Sequence, residues 1–526
     1  MRFYAGKLSE WSEQHSDFLP QDAPPPHSLW LIPEPLLSSK PAPHLKRIID
    51  LPAKELHFPK PNPAFTPNPN LTNSLNGRRL LVDEILPQFD LKTLHMHVAN
   101  GYLKYAPGLK SEHNILECHR CGNRDQKQFA SYPCFRCKQE CSYCRSCLMM
   151  GRVGRCSPLI LSNHASIFWP RKDPILGWEG TLSSQQQKAS TFLVGAVNDQ
   201  VQQPSVRECL IWAVCGAGKT EMLFEGILTA LRQNLRVLVA TPRADVVREL
   251  EPRIKEAFPH TTVASFYGGV ADRFAHGEIT ISTTHQLLRY YRNFDVVIID
   301  EVDAFPFDHD PKLRYAVKQA AKSQHLTVFV TATPDSSMQS LAANGKLETV
   351  KVAKRFHGYP LPVPRFQWAS GWRKKAKKAQ VPSLVLDWLT TILSQKKQAF
   401  LFVPSIRLLE LVLPTLKNHL DNVEGVYSED KQRKEKVEQF RKGNIRLLLS
   451  TTILERGVTV KGVQVGVLGA DDGVFTESAL VQIAGRAGRS PEEPKGDVVY
   501  FHDGKTRAMV RAKRQIELMN ELGNVR

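Results

Sequence analysis

AVCGAGKTEM, Ala213 to Met222, follows an apolar run of strand length and leads into an amphipathic one. Ala213, Val214, Cys215, Gly216, Ala217 and Gly218 form a loop whose backbone N–H groups can close around a polyphosphate, with a helix N-terminus behind them. Lys219 is placed to reach the β- and γ-phosphates, and the Thr220 hydroxyl to bind Mg²⁺. Ala213 stands where the strict pattern has glycine, so a glycine-rich turn with a surface lysine stays open until a partner is found. VVIIDEVDAFP supplies one. Four apolar residues make a strand, and Asp300 emerges at its C-terminal end, placed to hold Mg²⁺. Glu301 follows, placed to polarise an attacking water. In this order, on these elements, the two stretches read as a nucleotide-hydrolysing site.

QIAGRAGR, Gln482 to Arg489, adds two arginines three residues apart, expected on one helix face. From across a cleft, Arg486 and Arg489 can neutralise charge developing on a γ-phosphate. Gln482 completes the expected catalytic set of Lys219, Asp300, Glu301, Gln482, Arg486 and Arg489. STTILERGVTV follows another strand and contains Gly457, suited to close backbone approach to a nucleotide. Cys215 reads as a buried or half-buried thiol rather than a nucleophile.

A second chemistry sits upstream. Seven of the ten cysteines lie between Cys118 and Cys147, and Cys156 follows. Closely paired cysteines read as thiolate metal hooks. Spacing alone pairs Cys118/Cys121 with Cys134/Cys137 as a C-x₂-C-x₁₂-C-x₂-C zinc ribbon.

The elements that must position these residues are legible in outline. RECLIWAV, LRVLVATP, EITIST, FDVVIIDE and LTVFVTATP alternate with amphipathic stretches, the pattern of a parallel sheet buried on both faces. It restarts with QAFLFVPS, IRLLLSTT, VQVGVLGA and DVVYFH. LSSQQQKASTFLVGAV reads as a helix opened by a serine cap. The expected division is a Pro-rich, largely disordered leader (1–76) and a helical segment with the cysteine module (77–174). An α/β unit (175–365), a basic hinge (366–384) and a second α/β unit (385–526) follow. The leader is read from the 14 of 35 prolines between residues 20 and 70, which remove backbone donors.

Seventy Lys and Arg against 52 Asp and Glu give a net charge of +18, which points to a polyanion, nucleic acid first. No apolar run approaches the ~18–20 residues that span a bilayer. The start lacks the apolar core of a signal peptide, so the chain reads as cytoplasmic.

The ordered motifs resemble superfamily-2 helicases over about residues 180–510. The resemblance implies two tandem RecA-like domains, with Gln186 on adenine. Thr241, Pro242 and Arg243, with Thr283, Thr284 and His285, would line the nucleic-acid path. Thr331, Ala332 and Thr333 would couple hydrolysis to domain movement. AVCGAGKTEMLF, STTHQLLRY, IIDEVDAFP, STTILERGVTV and FTESALVQIAGRAGR, with CRSCLMMGRV upstream, resemble the ComFA family of late competence ATPases over about residues 77–526. That resemblance implies an ATP-, Mg²⁺- and Zn²⁺-dependent motor on single-stranded DNA. It also implies ComFC-like and DprA-like partners near the ComEC channel, at the inner face of the cell membrane. It moves the zinc expectation to Cys118, Cys121, Cys144 and Cys147. Cys134, Cys137 and Cys141 are left to a second zinc with Cys156 or His119, or to no metal.

Three other readings stay open: a PriA-like duplex-unwinding helicase of replication restart, an RNA helicase, and a nucleic-acid-binding adaptor with a vestigial ATPase. In the expected hinge, Arg373, Lys374, Lys375, Lys377 and Lys378 are phosphate contacts or solvated surface, and Trp368 and Trp372 stack on bases or pack.

Overall fold

The computed structural model describes residues 1–19, 29–37, 43–51, 59–113, 115–162, 173–455, 460–490 and 492–524. Two parallel sheets dominate. The first has seven strands in the order Val263–Phe266, Ile279–Thr283, Val237–Thr241, Phe294–Asp300, Ala321–Thr331, Val206–Ala213, Glu348–Val352. The second has six, in the order Arg365–Trp368, Val498–His502, Gln464–Leu468, Ala399–Phe402, Leu447–Ser450, Val423–Val426. Their apolar runs are buried because helices cover both faces, and a parallel ladder leaves its C-terminal edge free for loops. All strands within each sheet run parallel, so every motif loop leaves on the same edge. The two units share one continuous apolar core, reaching from Leu210 and Ile211 to Phe400, Leu480 and Met509. The C-terminal helix Arg507–Asn524 spans that junction, with Gln515 donating to the Ala332 carbonyl.

Two expectations need correction. The leader expected over 1–76 is not largely disordered: Arg2–Gly6 pairs antiparallel with both Trp30–Pro33 and His44–Arg47, and Pro69–Leu75 is a helix. Phe3, Trp30 and Ile32 are apolar enough to bury, and the prolines concentrate between the strands. Residues 20–28, 38–42 and 52–58 lie outside the described residues. Residues 366–384 are not a hinge either. Arg365–Trp368 is the edge strand of the second sheet, and Trp372, 1 % exposed, packs in that unit's core with its indole on Asp471. The basic side chains of Arg373, Lys374, Lys375, Lys377 and Lys378 face outward, Arg373 pairing with Asp471 and Asp472. One apolar face was enough to make this charged run part of a domain.

The cysteine module docks on the first unit through a buried ion network. Glu84 accepts from Arg120 of the module and Arg289 of the motor unit, while Arg78 donates to the Arg273 and Ala275 carbonyls. Burial works against the Glu84 charge, but the two guanidinia outweigh it and hold the carboxyl below its ordinary value. Removing one partner of such a pair costs about 3–5 kcal/mol.

Buried histidines set an acid limit. Burial lowers His95 to about 4, and burial with Arg78 and Arg236 lowers His276 to about 3, from an ordinary 6.5. Below pH 6.5 the unfolded chain therefore binds protons that the folded chain refuses. The expected result is an unfolding free energy that falls as pH drops from 6.5 towards 4, by up to about 1.4 kcal/mol per pH unit for each histidine, read as a falling urea midpoint. A midpoint that stays level over that range contradicts it.

Candidate nucleotide site and metal centres

The phosphate loop leaves the strand Val206–Ala213 and ends in a 3₁₀ turn, Glu221–Leu223, before the helix Phe224–Arg232 begins. Gly216 and Gly218 both have left-handed backbone, φ +79° and +71°. A side chain at Gly218 would meet Gln186 Nε2 at 2.4 Å. Gln186 sits in the first turn of the helix Ser184–Gln202, where it forms a capping box with Ser183. Its Nε2 donates to the Ala217 carbonyl at 2.9 Å and also reaches Gly218. The glutamine expected near adenine thus buttresses the loop from behind. Lys219 is half-buried at the turn, and Thr220 and Asp300 line the same small cavity.

Asp300 ends the strand Phe294–Asp300 as expected. Glu301 follows with φ +56°, a left-handed conformation that a non-glycine residue adopts only where its surroundings impose it. Its N–H donates to the Val330 carbonyl at 3.0 Å and to Asp300 Oδ1 at 2.9 Å, fixing the two carboxylates relative to each other. Asp303, the fourth residue of DEVD, accepts from the hydroxyls of Thr331 and Thr333, and from Ser478 of the second unit at 2.7 Å. The TAT residues are thereby tied to the carboxylate loop and to the second unit at once.

The second unit meets this loop through Gln482–Arg489. The helix Glu477–Ala484 stops at Gly485, and Gly488 has φ +63°, so Arg486 and Arg489 do not share a helix face as expected. They lie in the turn beyond it, because two glycines in four residues favour a turn over helix continuation. The turn brings both arginines to the phosphate loop. Gln482 Oε1 accepts from the Cys215 thiol at 2.9 Å, and a side chain at Gly485 would meet Cys215 Cβ at 2.5 Å. Arg486 Nε donates to the Glu455 carbonyl at 2.7 Å and Arg489 Nε to the Gly485 carbonyl at 2.9 Å. Burial, with Arg489 beside it, drives Arg486 well below its ordinary value, while Cys215 and Glu301 pull it back. Gly457 lies outside the described residues.

Sequence reasoning missed Arg355, Gly485 and Ser478. Arg355 is fully buried and donates to the carbonyls of Ala487, at 2.9 Å, and Gly488. The N–H of the next residue, Phe356, donates to Gly216 at 2.9 Å, so this strap joins the phosphate loop to the arginine turn. Burial and then Arg489 bring Arg355 down to about 10, which leaves it charged at neutral pH. Nothing in AKRFHGYP marks it, since its partners are backbone carbonyls distant in sequence. The Gly485 contact gives a direct test. Gly485→Ala should lower ATP turnover at least about tenfold by pushing the arginine turn off the loop, in line with the sensitivity of catalysis to small misplacements. Turnover equal to that of the unmodified chain contradicts the contact.

Thr241 and Thr283 end adjacent strands, and Thr284 donates to the Thr241 carbonyl at 3.0 Å. Pro242 and His285 follow them on the same edge, and Arg243 pairs with Asp245 and reaches the Ile453 carbonyl of the second unit. Trp368 is 57 % exposed, its ring edge-on to His502.

The cysteines form two buried groups, Cys118/Cys121/Cys144/Cys147 and Cys134/Cys137/Cys141/Cys156, with sulfurs within 4.8 Å of one another in each. The ribbon pairing Cys118/Cys121 with Cys134/Cys137 is not what the chain builds. The hairpin Phe129–Cys134 and Gln139–Cys144 separates its two ends, so Cys144 folds back beside Cys121. In the first group the Cys118–Cys147 and Cys121–Cys144 sulfurs are 3.6 and 3.7 Å apart. Four sulfurs at 2.3 Å from a tetrahedral zinc lie about 3.8 Å apart, so the set fits that ion. Cys156, not His119, is the fourth member of the other group, and His119 Nδ1 hydrogen-bonds the Pro107 carbonyl at 3.1 Å. Tyr315, on the motor helix Pro311–Ala320, packs on the Gly122 turn of the first group and donates to the His119 carbonyl.

Comparison with known proteins agrees with this organisation. Residues 64–161 match the competence protein ComFA N-terminal domain, 195–341 the DEAD/DEAH box helicase model, and 384–491 the helicase conserved C-terminal domain. The chain is 46 % identical to competence protein ComFA of Bacillus subtilis, over 86 % of this chain and 95 % of that protein. It is 33 % identical to that of Streptococcus pneumoniae, over 79 % and 93 %. Among solved structures it is similar to S. cerevisiae Dbp5 bound to RNA and ADP BeF3. That match has 15 % identity and a TM-score of 0.46, over 66 % of this chain and 93 % of that one. The chain therefore belongs to the ComFA family of competence proteins and is an ATP-hydrolysing helicase-type enzyme of superfamily 2.

Proposed function

We propose that this ATPase is a motor that moves along single-stranded DNA during DNA uptake in natural transformation. The observation that carries the reading is the meeting of Gln482 and Gly485 of the second unit with Cys215 in the phosphate loop of the first. Three guanidinia, Arg355, Arg486 and Arg489, gather there, and burial disfavours their charges. Desolvated cations held together by backbone carbonyls favour a polyanion such as a triphosphate.

Within this reading Lys219 binds the β- and γ-phosphates, and Thr220 and Asp300 hold Mg²⁺. Bound ATP·Mg²⁺ supplies the phosphoanhydride and the metal charge that hydrolysis uses. Glu301, fixed beside Asp300, accepts a proton from the attacking water. Arg486 and Arg489 neutralise charge on the transferring phosphoryl group. Loss of that charge weakens the hold of the arginine turn on the loop, leaving the Gln482–Cys215 bond and the Arg355 strap as its remaining ties. The Asp303–Thr331–Thr333–Ser478 contact then carries the change to the TAT strand end and to the second unit. Arg243 and His285, half-buried on the same edge above the buried Thr241 and Thr284, grip the DNA backbone in a salt-sensitive contact without sequence preference.

The first cysteine group holds zinc as a structural ion, since four thiolates leave no open position. Tyr315 and Glu84 bind its module to the motor, so the module gives DNA or a partner a fixed platform. ComFC-like and DprA-like proteins and the ComEC channel are the partners that the family suggests, at the inner face of the membrane. Among the described residues no helix is long and apolar enough to cross it. Translocation is checked by ATP-driven displacement of streptavidin from end-biotinylated single strands. Release from one end only, dependent on hydrolysis, is expected. Brisk hydrolysis with no release from either end defeats the motor reading.

A further inference from the structure

We infer that Cys134, Cys137, Cys141 and Cys156 form a second zinc site, and that its metal alone folds the outer tip of the cysteine module and fastens the N-terminal sheet to it. The four sulfurs are buried within 4.8 Å of one another, and those of Cys134 and Cys156 are 3.7 Å apart. That spacing is far beyond a disulfide bond and close to the edge of a zinc–sulfur tetrahedron, about 3.8 Å. All four thiols are free.

The backbone repeats the turn of the first site. There, Gly122 follows Cys121 with φ +70°, and its N–H returns to the Cys118 carbonyl at 2.8 Å. Here, Lys138 follows Cys137 with φ +54°, and its N–H returns to the Cys134 carbonyl at 2.9 Å. This is the knuckle that turns two cysteines towards one ion. At Lys138 it is made without glycine, so the left-handed backbone needs an outside source of stability.

Packing does not provide that source. The first group belongs to a core that runs on into Leu238, Val297 and Leu313 of the motor. The second has only itself and a partly buried Tyr132. So small a cluster cannot offset the entropy of ordering the hairpin Phe129–Cys144, whose tip carries Phe135 at 85 % exposure. A metal can, because ligand groups that do not meet in the unfolded chain convert binding into folding. Four thiolates closed around one position select zinc and leave it no catalytic vacancy. Loading releases the thiol protons and leaves a net dianion, and Arg47 lies near enough to Cys137 and Cys141 to offset it.

Arg47 is also the fastener. It ends the strand His44–Arg47 and donates to the Glu140 carbonyl at 2.9 Å, just past the hairpin turn on the strand Gln139–Cys144. On the other side, the Met1 nitrogen donates to the Cys156 carbonyl at 2.6 Å. Both contacts are to backbone that the metal holds in place.

Metal analysis of the purified full chain should return two zinc ions, and Cys137→Ser/Cys141→Ser should return one. The two should also leave separately. A limiting amount of chelator should release the second-site zinc first, opening the chain to proteases between residues 132 and 142 while ATP hydrolysis persists. Differential alkylation followed by peptide mass spectrometry reads the sites without a variant. Protection of all eight thiols, with Cys134, Cys137, Cys141 and Cys156 exposed first, supports the inference. One zinc per wild-type chain with those four freely alkylated overturns it, as does a disulfide among them. Simultaneous loss of both ions with the motor fold overturns the separate role.

Discussion

Lys219→Ala leaves the chain folded and lowers DNA-stimulated ATP turnover by at least about 10²-fold, the scale for removing one preorganised charge from a developing oxyanion. The loop around it survives because its shape does not depend on the lysine. Gln186 holds the Ala217 carbonyl, Phe356 holds Gly216, and Cys215 meets Gln482. What goes is a cation at a half-buried turn beside Thr220 and Asp300. Steady-state hydrolysis at saturating ATP and DNA reads the effect, and an unchanged melting temperature separates it from unfolding. Turnover within a factor of about two of wild type would remove the basis for assigning a chemical role to the loop.

The second large effect is at Arg486. Arg486→Ala should cut kcat by about 10³-fold, the lower range for removing an arginine finger, with a much smaller change in nucleotide affinity. Arg486→Lys should recover little. The guanidinium spends Nε on the Glu455 carbonyl, so its remaining N–H groups are aimed by that anchor, a geometry an ammonium does not reproduce. Arg489, anchored on Gly485, should give a loss of the same kind. Equal loss of affinity and kcat in Arg486→Ala would instead mark it as a ground-state binding residue.

The parts legible in the sequence are those fixed by local chemistry. Strands ending in Ala213, Asp300 and Thr331 could be read because a doubly covered parallel sheet needs continuous apolar runs, and its ligands follow them. The grouping of Cys118, Cys121, Cys144 and Cys147 followed from the family resemblance, not from spacing. Hairpin closure brings Cys144 to Cys121, and linear distance does not reveal it. The same limit hid Arg355 and Ser478, whose partners lie 133 and 175 residues away. The helix expected under Arg486 and Arg489 failed for a local reason: Gly485 and Gly488 serve close approach and a turn, and both oppose helix. The basic run at 366–384 misled because charge dominates its composition, while the buried Ala369, Trp372, Ala376 and Val381 decide its packing. Composition also overstated disorder at the N-terminus, where a few apolar residues between prolines suffice for three strands.

The most direct test of the motor reading is ATP hydrolysis measured with single-stranded DNA, duplex DNA, RNA and no nucleic acid, with wild type and Lys219→Ala side by side. The account predicts strong stimulation by single-stranded DNA that weakens with salt, less by duplex or RNA, and loss of all of it in the variant. Hydrolysis indifferent to nucleic acid, or stimulated most by RNA, would contradict it.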